Sequence, residues 1–181
     1  MKGLILLANY FEDMEAIITI DMLRRASITI DTVSITGDKE VFMQSGNKIV
    51  TEYLFEKVSL DEYEFLVIPG GRAVIETHLN NFDTQKAVKH FMNKQQLVAC
   101  ICAAPSILGH LGFLDNREFT CFPSSEIFMP KGIYKPHARV VISDNIITSK
   151  AAGTTFDFAY EIIKYLKDEQ AALKVIKSIY Y

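Results

Sequence analysis

Short apolar runs alternate along this chain with stretches whose apolar residues recur at helical spacing, and that alternation predicts the architecture. Residues 3–8 form an apolar run of strand length, and 13–26 carry the three-to-four-residue repeat of an amphipathic helix. Residues 28–35 alternate as a second strand, and 65–68 read as a third, buried one. Between them, 40–43 and 48–51 flank Gln44-Ser45-Gly46-Asn47, a hairpin outside the main sheet with Gly46 and Asn47 supplying its turn. Residues 83–93 make another helix and 97–101 another strand. Residues 139–142 and 146–149 flank a Ser-Asp-Asn turn, and helices over 154–167 and 170–179 close the chain. No repeat, low-complexity tract or long polar linker interrupts the pattern. It predicts one α/β domain over 1–181, a mostly parallel sheet with helices on both faces and a small hairpin excursion.

Composition narrows the function classes. With 181 residues, 49% hydrophobic and 23% charged, the chain can bury a sizeable core. A formal net charge of -3 with scattered basic residues offers no attraction to a phosphate backbone, so nucleic-acid binding is not expected. Residues 3–8 are followed at once by Glu12, Asp13 and Glu15, unlike a signal peptide or membrane span, and no membrane partner is expected. The three cysteines show no CxxC spacing, which argues against a disulfide framework or a zinc site and for a reducing, cytoplasmic setting.

Candidate chemistry gathers at Leu97-Val98-Ala99-Cys100-Ile101-Cys102-Ala103-Ala104-Pro105, a buried strand that ends at a cysteine before a helix opened by proline. Cys100 lies within the strand, where cysteine serves as a small apolar residue. Cys102 falls at the turn, where a helix start favours the nucleophilic thiolate. In an open parallel sheet, ligands bind beyond the carboxyl ends of the strands. Glu15 follows the first strand, Pro69-Gly70-Gly71 the third, and Cys102 the next, so all three groups are expected to face one crevice. A glycine pair lets backbone amides approach an oxyanion, and a carboxyl beside a thiol can exchange its proton. Taken singly, each feature has a plainer reading: Glu12, Asp13 and Glu15 complement a helix dipole, Gly-Gly makes a turn, and Cys121 fills core. His78, His90, His110 and His137 are scattered, with His110 on a helix surface, and no histidine base is evident.

Four motifs in order carry a resemblance over nearly the whole chain. They are Phe11-Glu12-Asp13-Met14-Glu15 with Asp21-Met22-Leu23-Arg24-Arg25-Ala26, then Val67-Ile68-Pro69-Gly70-Gly71, Ile101-Cys102-Ala103-Ala104-Pro105, and Ile147-Thr148-Ser149-Lys150-Ala151-Ala152-Gly153-Thr154. The sequence resembles the ThiJ/PfpI superfamily, and within it the subgroup of the parkinsonism-associated deglycase and its bacterial relatives. The resemblance implies a flavodoxin-like, class I glutamine amidotransferase-like fold. It implies Cys102 as the cysteine of a strained nucleophile elbow, Glu15 as its hydrogen-bonded acid, and the Gly70, Gly71 and Ala103 backbone as oxyanion-binding amides. It also implies a homodimer, with the first helix and the region of Gly153 near the interface. Ala103 stands where the protease-like branch has histidine, and Phe122 stands before Pro123 where some subgroup members have histidine.

Two functions follow from the same residues. In the first, Cys102 attacks a small 2-oxoaldehyde such as methylglyoxal, or its early glycated adduct, and Glu15 moves the proton that isomerises it toward a 2-hydroxy acid, with neither metal nor cofactor. In the second, oxidation of Cys102 to a sulfinic acid makes the protein a redox sensor or redox-activated chaperone. An amidase or peptidase would need a histidine from elsewhere, such as His137. Glu15 is expected to be protonated beside a thiolate, the two titrating as a coupled pair.

Overall fold

In the computed structural model, which describes all 181 residues, the expected alternation folds as a seven-stranded sheet with two small satellites. In chain order the elements are β1 (Lys2–Leu7), α1 (Asp13–Arg25), β2 (Thr29–Ser34), β3 (Glu40–Phe42), β4 (Lys48–Val50), β5 (Tyr53–Leu54) and β6 (Phe65–Ile68). There follow α2 (Ala73–Glu76), α3 (Phe82–Asn93), β7 (Leu97–Ile101), α4 (Pro105–His110), β8 (Glu118–Phe119), β9 (Ile133–Tyr134), β10 (Val140–Ser143), β11 (Ile146–Ser149), α5 (Thr155–Leu166) and α6 (Glu169–Ser178). Five short 3-10 turns join these elements.

The main sheet has the order β10-β11-β7-β6-β1-β2-β5 and is parallel except where β10 folds back on β11. Every residue of β6 and β7 is buried, as is all of β1 after Lys2. Central strands covered on both faces read as continuous apolar runs, which is why they are so plain in the sequence. Helices α1 and α5 pack together on one side of the sheet, while α3 lies against β6 and β7. Glu12 caps α1 by accepting the Glu15 N–H, and Arg24 and Arg25 occupy the opposite end, so both ends complement the helix dipole.

The hairpin is β3 paired antiparallel with β4, a separate two-stranded sheet. Gly46 takes the left-handed backbone of its turn, at φ 94°, whereas Asn47 does not. The hairpin folds back over the start of α1. Ser45 donates to the Asp13 carboxylate through both N–H and hydroxyl, and the Gln44 N–H donates to Phe11 O at 2.8 Å.

Chain order fixes where a ligand can enter. From β1 the chain moves outward to β2 and β5, then returns to lay β6 on the other side of β1. The crossovers therefore diverge between β1 and β6, and a crevice opens beyond the carboxyl ends of those strands.

Candidate active site

The site assembles from three chain segments that leave β1, β6 and β7 at the same end of the sheet. The Glu12 cap at the start of α1 sets the rotation of the first turn, and Glu15 consequently points inward and is fully buried. A carboxylate serving only the helix dipole would remain in water. Burial removes that plainer reading for Glu15, while Glu12 does act as a cap.

The Pro69-Gly70-Gly71 turn after β6 meets this carboxyl. Gly70 donates its N–H to Glu15 Oε2 at 2.7 Å. A Cβ on Gly70 would stand 2.6 Å from Cys102 Cβ and 2.8 Å from Glu15 Oε2, so only glycine lets thiol and carboxyl close over it. Gly71 takes φ 89°, and a Cβ there would lie 2.6 Å from both Tyr10 O and Glu12 N.

Cys102 follows β7 with φ 65°, the left-handed region that costs an ordinary residue about 1–2 kcal/mol. Two backbone hydrogen bonds hold it there. Its N–H donates to Ser149 O at 2.9 Å, and its carbonyl accepts the Phe122 N–H at 2.8 Å. Strain fixed from both sides in this way belongs to a side chain that must be aimed, and this one enters a cavity. The Gly71 and Ala103 amides are directed at the sulfur, whereas the Gly70 N–H is already committed to Glu15. Of the three amides expected to receive an oxyanion, two therefore face the thiol and the third orients the carboxyl.

Electrostatics couple the pair. Glu15 Oε1 is buried without a hydrogen-bond partner, and the carboxyl interacts with the thiol of Cys102. Desolvation, reinforced by the Glu12 charge, pushes the Glu15 carboxyl up to about 7 against the stabilising Gly70 N–H and Cys102 contacts. Desolvation first, and then the Glu15 charge, push the Cys102 thiol up, while the Gly71 and Ala103 amides favour its thiolate. The thiolate expected from the helix start alone is thus opposed: α4 is only six residues long and the sulfur is largely out of water. Above neutrality the pair carries one negative charge and retains one proton, and the thiolate with carboxylic acid is its nucleophilic form.

The cavity around the thiol encloses about 500 Å³. Glu12, Glu15, Gln44, Gly71, Arg72, Ile75, Cys102, Ala103, Phe122, Ser125 and the turn Ala151 to Gly153 line it. Gln44 reaches it from the hairpin, its Oε1 accepting the Arg72 N–H at 2.9 Å, and the Arg72 guanidinium lies over the Tyr10 ring at 4.3 Å. Arg72, Ile75 and Ser125 come from the segments over 72–80 and 124–136 that shape the pocket, whereas no sequence pattern marks Gln44 as a lining residue. The cavity contains no histidine: His78 is fully buried against Thr84 Oγ1, His90 packs on Phe91, His110 is exposed, and His137 borders a separate groove with Glu118 and Lys135. Cys100 and Cys121 are buried in the core.

Fold and site together define a parallel α/β protein with a strained, carboxyl-paired cysteine at its topological switch point. A model of the DJ-1/PfpI family matches residues 1–165, and the chain belongs to that family. It is 32% identical over 180 residues to Protein DJ-1alpha of Drosophila melanogaster, covering 98% of this chain and 83% of that protein. A deglycase of Pyrococcus abyssi is 32% identical over 173 residues, covering 92% of this chain and all of the relative. Protein DJ-1 homolog B of Arabidopsis thaliana is 31% identical over 178 residues, and this chain spans only 40% of its length. Among solved structures, a DJ-1 superfamily protein from Salmonella typhimurium superposes with a TM-score of 0.93 at 28% identity, covering 99% of this chain and 98% of that one. Oxidized Toxoplasma gondii DJ-1 superposes with a TM-score of 0.93 at 27% identity, with the same coverage. No helix is long and apolar enough to cross a membrane.

Proposed function

We propose that this chain converts small 2-oxoaldehydes, or their early adducts with amines and thiols, into 2-hydroxy acids, using Cys102 as nucleophile and Glu15 as proton carrier. The observation that carries this reading is the buried Glu15 carboxyl, raised to about 7 and facing the thiol of a strained Cys102. A general acid–base group works best with a pKa near the operating pH, and burial brings Glu15 there. The relatives in Pyrococcus that are named deglycases support the same class of chemistry.

With methylglyoxal, the thiol proton passes to Glu15 as sulfur bonds to the aldehyde carbon C1, and Glu15 returns that proton to the new alkoxide, giving a hemithioacetal. The Gly71 and Ala103 amides steady the negative charge on that oxygen while it lasts. Isomerisation then moves hydrogen from C1 to C2 and yields a thioester of lactate. Water adds to the thioester, the C–S bond breaks, and the thiol regains a proton. Lactate formation by the purified protein, assayed beside Cys102→Ser and Glu15→Gln, tests the reading. Multiple turnovers lost in both variants are the expected result, and wild-type protein that forms no lactate overturns it.

A second reading has its own support in the oxidized Toxoplasma relative. In it, oxidation of Cys102 is the functional event, and the amides facing the sulfur with a protonated Glu15 stabilise the sulfinate oxygens. Protein that lacks turnover but converts Cys102 stoichiometrically with peroxide would favour it. We also infer a homodimer in a cytoplasmic setting. Exposed Met14 and Ile17 on α1, beside a groove formed with Phe156 and Tyr180, supply an apolar contact surface. Sedimentation at micromolar concentration should give twice the chain mass.

A further inference from the structure

The cavity holds a second carboxyl that the foregoing mechanism does not use. Glu12 and Glu15 are three residues apart at the start of α1, neighbours on one helix face, and both line the cavity that contains the thiol. Besides the Cys102–Glu15 pair, the ionisable side chains lining that cavity are Glu12 and Arg72. Arg72 remains a cation and cannot serve as a base. Glu12 is half-buried, and its Oε2 accepts the Glu15 N–H at 2.8 Å, which fixes the carboxyl relative to its neighbour.

Isomerising the hemithioacetal moves two hydrogens. The C1 hydrogen must reach C2, and the hydroxyl proton on the C1 oxygen must reach the C2 oxygen. Glu15, which exchanges its proton with the sulfur and the C1 oxygen, is placed for the second transfer. We propose that Glu12 is a further catalytic residue, the base that takes the proton from C1 and returns it to C2. This inference rests on the 2-oxoaldehyde reading above.

In the step assigned to it, the Glu12 carboxylate takes the C1 proton, the C–H electrons form a C1–C2 double bond, and Glu15 passes the C1 hydroxyl proton to the C2 oxygen, leaving the negative charge on the C1 oxygen. Glu12 then protonates C2 as the electrons of the C1 oxygen close the thioester carbonyl, and both carboxyls end as they began. No oxidant or reductant enters. Desolvation raises Glu12 above the ordinary carboxylate range, against hydrogen bonds from the backbone of Glu15 and Met14, which brings it closer to what a base for this step requires.

Because Glu12 is also the cap of α1, the test compares Glu12→Asp with Glu12→Asn. Aspartate and asparagine cap helices about equally well and have the same shape, but only aspartate can carry the proton. Turnover of methylglyoxal by Glu12→Asn should fall by about 10²- to 10⁴-fold, the usual worth of a general base. Intact-mass measurement should show the methylglyoxal adduct accumulating on Cys102 of this variant. Glu12→Asp should retain at least tenfold more turnover than Glu12→Asn. Equal lactate rates in the two variants, whether high or low, would assign Glu12 to capping alone and overturn the inference. Wild-type protein without lactate formation overturns the underlying reading, and this inference with it.

Discussion

Gly70 donates its N–H to Glu15 Oε2 at 2.7 Å, and this single bond ties the carboxyl at the start of α1 to the turn that ends β6. It orients the carboxyl by one oxygen and leaves the other buried without a hydrogen-bond partner, in a carboxyl that interacts with the thiol. The absent side chain matters as much as the amide. In Gly70→Ala the new methyl would stand 2.6 Å from Cys102 Cβ and 3.0 Å from Ile101 O, and neither backbone can yield without moving β7. Overpacking of this kind costs about 1–3 kcal/mol. Gly70→Ala should unfold at lower temperature by calorimetry and lose most of its Cys102 reactivity toward iodoacetamide. A variant as stable and as reactive as the parent would mean that the site has slack which this geometry does not show.

The left-handed backbone at Cys102 predicts a separation of stability from function. Glycine adopts φ 65° without the Cβ penalty, whereas alanine keeps it. Both Cys102→Gly and Cys102→Ala remove the nucleophile. Cys102→Gly should nevertheless be the more stable of the two by about 1 kcal/mol in urea denaturation. Equal midpoints and slopes would indicate that the Ser149 and Phe122 hydrogen bonds hold this conformation with no strain to relieve.

How legible these features are in the sequence follows from what each depends on. The strands β1, β6 and β7 are plain because both of their faces are buried, and a run of apolar residues needs no partner to be recognised. The two-residue strands β5, β8 and β9 are too short to show any alternation. Their pairing depends on neighbours brought in by the rest of the fold. Among Glu12, Asp13 and Glu15, all suited to the helix dipole, the sequence singles out Glu15 by its place after the first strand and by the family resemblance, but what turns it inward is not legible there. The answer comes from the Glu12 cap and the distant Gly70 amide. Gln44 reaches the cavity only because the hairpin folds back over α1, a docking for which the chain carries no local signal. Thiolate character at Cys102 is the expectation most altered by three dimensions, since a helix start is visible in sequence and desolvation is not.

Coupling between the two groups has a directly observable consequence. The Glu15 charge and its hydrogen bond both hold the Cys102 proton in place. Neutralising the carboxyl in Glu15→Gln removes the repulsion, and the thiolate should form at lower pH than in the parent. Thiolate absorbance, corrected by subtracting Cys102→Ser, reports this. A Cys102 titration unchanged in Glu15→Gln would show that the two do not share a proton and would remove the basis for the mechanism.

The buried carboxyl should also make stability depend on pH in a defined direction. Glu15 titrates at about 7 when folded, against an ordinary value of 4.5 for an unhindered side chain, so between those values the folded protein binds more protons than the unfolded one. The stability linked to Glu15 is therefore fully present below about 4.5 and is lost as pH rises through 7. A shift of this size corresponds to roughly 3 kcal/mol across the window. Placing Glu15→Gln in a Cys102→Ser background isolates this contribution from the thiol, because glutamine occupies the same space and does not titrate. The unfolding free energy of the Glu15→Gln, Cys102→Ser double variant, relative to that of the Cys102→Ser single variant, should rise by a few kcal/mol from about pH 4.5 to about pH 8. A difference that stays flat over that range would place Glu15 at an ordinary carboxylate pKa. It would then be ionised throughout, and too weak a base to take up the thiol proton as sulfur attacks an aldehyde.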